Sequence, residues 1–214
     1  MNEDIPVYIS AEDSVTKAVI ERLLAYTSPR LKVFKNIPAR GGEIKSKIVE
    51  LNTLSAIKPV VALIDLDDNG CAPALKKELM RGATPKVDFL LNIAIDEAEA
   101  WLMADKKGFA SYFGLSANLI PDATMQKLGG MVQVQEMDFG MKSSWILTHE
   151  MMPQSTNAEL KAQMVAEGTA AKGKEYNPAI IPFIKDYWNI DTAAANSDSL
   201  RRMIKRLREL VERY

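Results

Sequence analysis

The 214-residue chain is poor in the residues that most often carry transition-metal or nucleophilic chemistry. It has one cysteine, Cys71, and one histidine, His149. A single cysteine excludes an internal disulfide and a thiolate cluster. A single histidine excludes any site needing two imidazole ligands and speaks against a histidine-based triad. Long apolar runs are missing as well: none approaches the roughly 18–20 residues that span a bilayer. The opening Met1-Asn2-Glu3-Asp4-Ile5-Pro6 lacks the basic region and apolar core of a signal peptide, so a cytoplasmic location without a membrane partner is expected. Net charge is nearly absent too, with 27 Lys and Arg against 28 Asp and Glu for a formal charge of -1. That balance excludes a histone-like tail but leaves room for a local basic patch. No internal repeat is present. Any chemistry must rest on carboxylates, Lys, Arg and the backbone.

What is present is an alternation of strand-like and helix-like patterns over the first hundred residues. Val7-Tyr8-Ile9-Ser10 and Leu31-Lys32-Val33-Phe34 read as strands, with a helix from about Ser14 between them, ended by Pro29. Gly41-Gly42 opens a further helix with Ile44, Ile48, Leu51 and Leu54 along one side. The unbroken run from Pro59 to Ile64 has the character of a strand buried on both faces of a parallel sheet. A helix from about Pro73 to Met80 and a fourth strand over 87–95 complete the pattern. Alternation of this kind predicts an α/β domain with a mostly parallel sheet flanked by helices, Rossmann-like in architecture. We place that domain at 1–105 and a mainly helical region at 106–214. In the second part, 121–173 shows no clean period, and Tyr176-Asn177-Pro178 reads as a turn. Ala179 to Tyr187 reads as an apolar helix, and a last helix over 199–213 buries Leu200, Ile204, Leu207 and Leu210 or Val211.

In open parallel sheets, ligands bind beyond the carboxyl ends of the strands. Three acidic groups fall there: Glu12-Asp13, Asp65-Leu66-Asp67-Asp68, and Asp96-Glu97-Ala98-Glu99 with Asp105 beyond. Two unit charges about 4 Å apart repel by about 4 kcal/mol at an effective dielectric near 20. A divalent cation removes that repulsion, and Mg²⁺ takes one or two carboxylates plus substrate phosphates. The pattern Asp65-x-Asp67-x-Asn69-Gly70 also begins like an EF-hand loop, but Lys76 stands where its final Glu should be, so that reading is rejected. An aspartyl-nucleophile phosphatase with Asp65 attacking is a further alternative. Its motif normally carries Thr or Val where this chain has Asn69, and normally lies on the first strand.

Together these residues resemble a Toprim domain, the catalytic module of topoisomerases, primases and certain nucleases. Glu12 matches its Glu after the first strand, and Asp65 and Asp67 match its Asp-x-Asp after the third. The chain is most similar to a family of small bacterial Toprim-like proteins. The shared features are Ala11-Glu12-Asp13-Ser14, Gly41-Gly42, Asp65-Leu66-Asp67 with Cys71-Ala72-Pro73, and the stretch from Glu97 through Glu99-Ala100-Trp101 to Asp105. Tyr176-Asn177 and Ser197-Asp198-Ser199-Leu200 complete the likeness. The chain departs from the pattern at Asp13, where Toprim domains often have Gly. It departs again at Asn92 and Asp96, near which the small family often has Arg.

The resemblance implies a Mg²⁺- or Mn²⁺-dependent nuclease acting on DNA or RNA, in phage defence or DNA repair, alone or beside an ATPase partner. Glu12, Asp65 and Asp67 would be catalytic and would hold the metal, with Glu97 and Glu99 completing a second metal site. In a strand these two glutamates would share a face. In a helix they diverge by about 200°, and Glu97 is then the preferred ligand. Lys45 and Lys47 are candidate phosphate contacts. So are Arg201, Arg202 and Lys205, with Arg206, Arg208 and Arg213, on the last helix. The bland readings are that these cations form solvated faces, that Trp101 is core, that Cys71 is a small buried hydrophobe, and that Asp13 and Asp68 start helices. A non-catalytic Toprim-like module that binds nucleic acid or protein is the main functional alternative.

Overall fold

A computed structural model describes residues 3–39, 42–67, 69–128 and 131–214. Gly41 and Asp68 therefore lie outside the described residues. The apolar runs form four strands: β1 (Ile5–Ala11), β2 (Leu31–Asn36), β3 (Val60–Asp65) and β4 (Phe89–Ala94). They pair in parallel in the order β2-β1-β3-β4. Val60 through Ile64 of β3 are wholly buried, which is why that stretch is continuously apolar rather than alternating.

Helices cover both faces of this sheet. α1 (Ser14–Thr27) starts at Asp13, whose carboxylate accepts 2.8 Å hydrogen bonds from the Thr16 backbone N–H and hydroxyl. Its Val15, Val19 and Leu23 are buried. The helix expected after the double glycine is broken at Lys47 into α2 (Glu43–Ser46) and α3 (Ile48–Leu54). Ile44, Ile48 and Leu51 are buried as expected. They join Leu75 and Met80 of α4 (Ala72–Met80) against Val60, Ala62 and Ile64. These three are alternate residues of β3, so they share one face. Pro73 sits in the first turn of α4, where its missing N–H leaves nothing unpaired. Cys71 just before it is exposed, not buried as expected. It is the extended residue entering α4 rather than part of its apolar stripe.

The chain divides into two compact units, one running to Ile95 and taking back Arg202–Tyr214, the other formed by Asp96–Arg201. The division thus falls ten residues before the expected 105, and the last helix is shared. The second unit contains α5 (Ala98–Met103), α6 (Lys106–Phe113) and an antiparallel hairpin of β5 (Ala123–Leu128) and β6 (Met131–Met137). α7 (Ser143–Ile146) runs on as a π-helical turn over Leu147–Met151. α8 (Ala158–Met164), α9 (Tyr176–Pro182) and α10 (Ile190–Asn196) follow. Tyr176-Asn177-Pro178 is the first turn of α9 and not a separate turn, again because an early proline needs no helical acceptor. The last helix, α11 (Asp198–Arg213), buries Leu200, Ile204, Leu207 and Leu210. Ser197 precedes it, with its hydroxyl accepting from the Leu200 N–H at 3.3 Å.

Phe109, Phe113 and Phe183 form an aromatic core in the second unit, with ring centroids 4.3–5.6 Å apart. Trp101 is wholly buried, and its indole N–H donates to the Ser199 hydroxyl at 2.7 Å. It is a core residue. Among the described residues, no helix is long and apolar enough to cross a membrane.

Candidate active site at the carboxyl edge of the sheet

The strand order decides where a site can form. The chain passes from β1 to β2 on one side, then crosses to β3 on the other, so β1 and β3 flank the topological switch point. Their parallel register, Ala11 beside Leu63, brings the ends carrying Glu12 and Asp65 together.

Glu12 follows β1 directly and is half-buried. It is hydrogen-bonded to the backbone of Asp65, yet its Oε1 is buried with no hydrogen-bond partner. Burial pushes its carboxyl up to about 7. Lys45 opposes that shift, while Asp67 and, more weakly, Asp13 reinforce it. Asp65 is the last residue of β3. Asp67 follows with a φ of 51°, a left-handed conformation that a side-chain-bearing residue adopts at some strain. The Asn69 side-chain amide donates to the Leu66 carbonyl at 2.6 Å and closes this turn. Lys45, from α2, reaches Asp67 Oδ2 at 2.7 Å. Three separate elements thus bring Glu12, Asp65, Asp67 and Lys45 to one edge.

The donor set is all oxygen, which suits Mg²⁺ or Mn²⁺ and no softer metal. Glu12 Oε1 is the member of this set shown buried with no hydrogen-bond partner. Among the described residues, no three Asp, Glu, His or Cys side chains already form a cage. Mg²⁺ does not require one, since waters and substrate phosphates supply its remaining ligands.

Glu97 and Glu99 lie in the second unit, each with partners there. Glu97 is extended (φ -140°, ψ 169°) and caps α5. Its carboxylate accepts from the Ser144 N–H at 2.8 Å and the Ser143 hydroxyl at 3.5 Å. Glu99 is helical and buried, and accepts from Lys172 Nζ at 2.7 Å and the Tyr176 hydroxyl at 2.9 Å. Burial raises the Glu97 carboxyl, and the neighbouring Glu99 raises it further. Asp96, also left-handed with a φ of 65°, accepts from the Ser143 N–H at 3.1 Å, and burial pushes its carboxyl up to about 6. Asp105 caps α6 and receives the Asn189 N–H at 2.9 Å. Sequence reasoning missed Lys172. The Tyr176-Asn177 pair was the one available hint of a tyrosine brought to Glu99.

The candidate phosphate contacts fall into two groups. Lys47 pairs with Glu43 at 2.6 Å and donates to the Pro38 carbonyl at 3.2 Å. Arg201 binds Asp198 at 2.6 Å and the Val134 and Ala194 carbonyls at 3.2 Å. Arg206 donates to Asn92 Oδ1 at 3.0 Å and Arg213 to Asp88 Oδ1 at 3.1 Å, so these residues tie the fold together. Arg202, Lys205 and Arg208 are exposed, with Glu209 3.8 Å from Lys205. His149, assigned no role from sequence, stacks on Trp145 with ring centroids 4.4 Å apart and planes 9° apart. Compared with known proteins, the chain matches no family model, no curated protein and no solved structure.

Proposed function

We propose that this chain is a metal-dependent phosphodiesterase acting on DNA or RNA through the edge formed by Glu12, Asp65 and Asp67. The observation that carries this reading is the unpartnered, buried Glu12 oxygen at the switch point, beside the strained Asp67. Those three carboxylates would hold Mg²⁺ or Mn²⁺. When bound, the ion would polarise the phosphodiester and lower the pKa of the attacking water. Glu12 must be ionised to serve, so metal affinity should rise as pH approaches and passes about 7. Lys45 can exchange its bond to Asp67 for a phosphate oxygen. Lys47 would assist from the same segment, and Arg201, Arg202 and Lys205 would contact the nucleic-acid backbone. Glu97 and Glu99 would hold a second ion only by giving up their bonds to Ser144, Lys172 and Tyr176.

The 2.7 Å Lys45–Asp67 pair favours a second reading, a Toprim-like binding module whose acidic edge is already neutralised. Incubating the purified chain with single- and double-stranded DNA and RNA in Mg²⁺ or Mn²⁺ separates the two, with and without a candidate ATPase partner. Cleavage that disappears in both Glu12→Gln and Asp65→Asn is expected of the enzyme. Nucleic-acid binding without cleavage under all of these conditions would leave the module.

A further inference from the structure

A second cluster of charge lies at the opposite end of β4, within the first unit. Phe89, Leu90 and Leu91 open β4, and they wall a cleft of about 200 Å³ together with α4 and the end of α11. Four cations line it: Lys76, Lys86, Arg206 and Arg213. One carboxylate, Glu209, lines it as well. Arg213 is neutralised by Asp88, to which it donates at 3.1 Å and 3.2 Å. Setting Asp88 and Glu209 against the four cations leaves two positive charges uncompensated.

Lys76 and Arg206 are the telling pair. Lys76 is half-buried, and among the described residues its ammonium has no hydrogen-bond or ion-pair partner. Its ordinary pKa is lowered by burial and then by Arg206, two effects that an anion in the cleft would offset. Arg206 uses Nη1 on the Leu91 carbonyl and Asn92 Oδ1, at 3.3 Å and 3.0 Å. Its Nε and Nη2 protons have no acceptor among the described residues, and that edge of a guanidinium matches two phosphate oxygens. Val87 lines the same cleft and is 71% exposed, so an apolar surface lies open beside the charges.

We propose that this cleft binds a phosphate dianion, free or as a monoester, held by Lys76 and Arg206 with Lys86 assisting. The volume is below the ~300 Å³ at which sites for drug-sized ligands begin, so the ligand is a phosphoryl group with little attached rather than a polymer. The inference does not depend on the phosphodiesterase reading, because no residue is shared with Glu12, Asp65 or Asp67.

The test is calorimetric titration of the full chain in EDTA with inorganic phosphate, with a nucleoside monophosphate, and with acetate as a control. Both phosphates should bind and acetate should not. Lys76→Gln should weaken phosphate binding about tenfold, the loss of one charge-assisted contact. Lys86→Gln should weaken it less, and Asp65→Asn should leave it unchanged. Tighter binding of the nucleotide than of phosphate would identify an organic phosphate seated against Val87, and equal binding would identify phosphate itself. Dissociation constants above about 10 mM for both, or a folded Lys76→Gln that binds as well as the wild type, would overturn the proposal.

Discussion

The two acidic groups of this protein are built on opposite principles. At the sheet edge, Glu12 keeps a buried oxygen without a partner, while Lys45 reaches Asp67 Oδ2 at 2.7 Å. In the second unit, Glu97 and Glu99 are each met by donors: two serines for the first, a lysine and a tyrosine for the second. A carboxylate met by donors from its own unit supports a fold. One left short of a partner is poised for something from outside. The same residue type in similar sequence surroundings therefore answers to two different pressures.

That contrast is open to measurement. The largest effect is expected from Glu99→Ala, which strands the Lys172 ammonium and the Tyr176 hydroxyl and should cost about 2–3 kcal/mol in urea unfolding. A loss under about 0.5 kcal/mol, typical of a surface site, would erase the distinction.

Glu12→Gln should act in the other direction. The folded carboxyl titrates near 7 against an ordinary 4.5, so between those values the native state holds a proton that the unfolded chain has released. Stability of the metal-free protein should therefore fall as pH rises from about 4.5 to 7, and be flat in this respect above it. Asp96, raised from 3.8 to about 6, adds a slope of the same sign at lower pH. Glu12→Gln should remove its slope over the whole span from about 4.5 to 7, leave the Asp96 slope between 3.8 and about 6, and raise Tm by about 2–4 °C at pH 8. Added Mn²⁺ should stabilise the wild type and leave Glu12→Gln unmoved. A variant with an unchanged pH profile would show that Glu12 is not the poised group. The smallest effect belongs to Lys45→Met: its pair with Asp67 is partly exposed, so the change should be within about 1 kcal/mol.

The sheet was legible because burial on both faces writes itself as continuous apolar runs, and β3 shows this most plainly. Asp13 was legible as a cap because Asp at a strand-to-helix junction satisfies an N–H that would otherwise be unpaired. The hairpin of β5 and β6 was missed, although Gly129-Gly130 between two short runs is a hairpin signal. Its strands carry Gln, Lys, Met and Val without a strict alternation, so the period gave no help. Glu97 and Glu99 could not be resolved from their spacing, because the backbone changes from extended to helical between them. Nor does the 3.6-residue period of α11 tell which of its cations turn inward to carbonyls and which face water.

By itself, then, the sequence determined the parallel α/β framework, the residues that end its strands and the scarcity of nitrogen and sulfur ligands, one His and one Cys. These follow from local patterning and composition, which a linear text records. Tertiary structure alone decided which carboxylates are satisfied. A hydrogen bond between residues as distant as Glu99 and Tyr176, or a strand crossing that sets Glu12 beside Asp65, depends on how separate elements meet. No local pattern encodes that meeting, because its energy arises only when burial removes the water that would otherwise serve as partner.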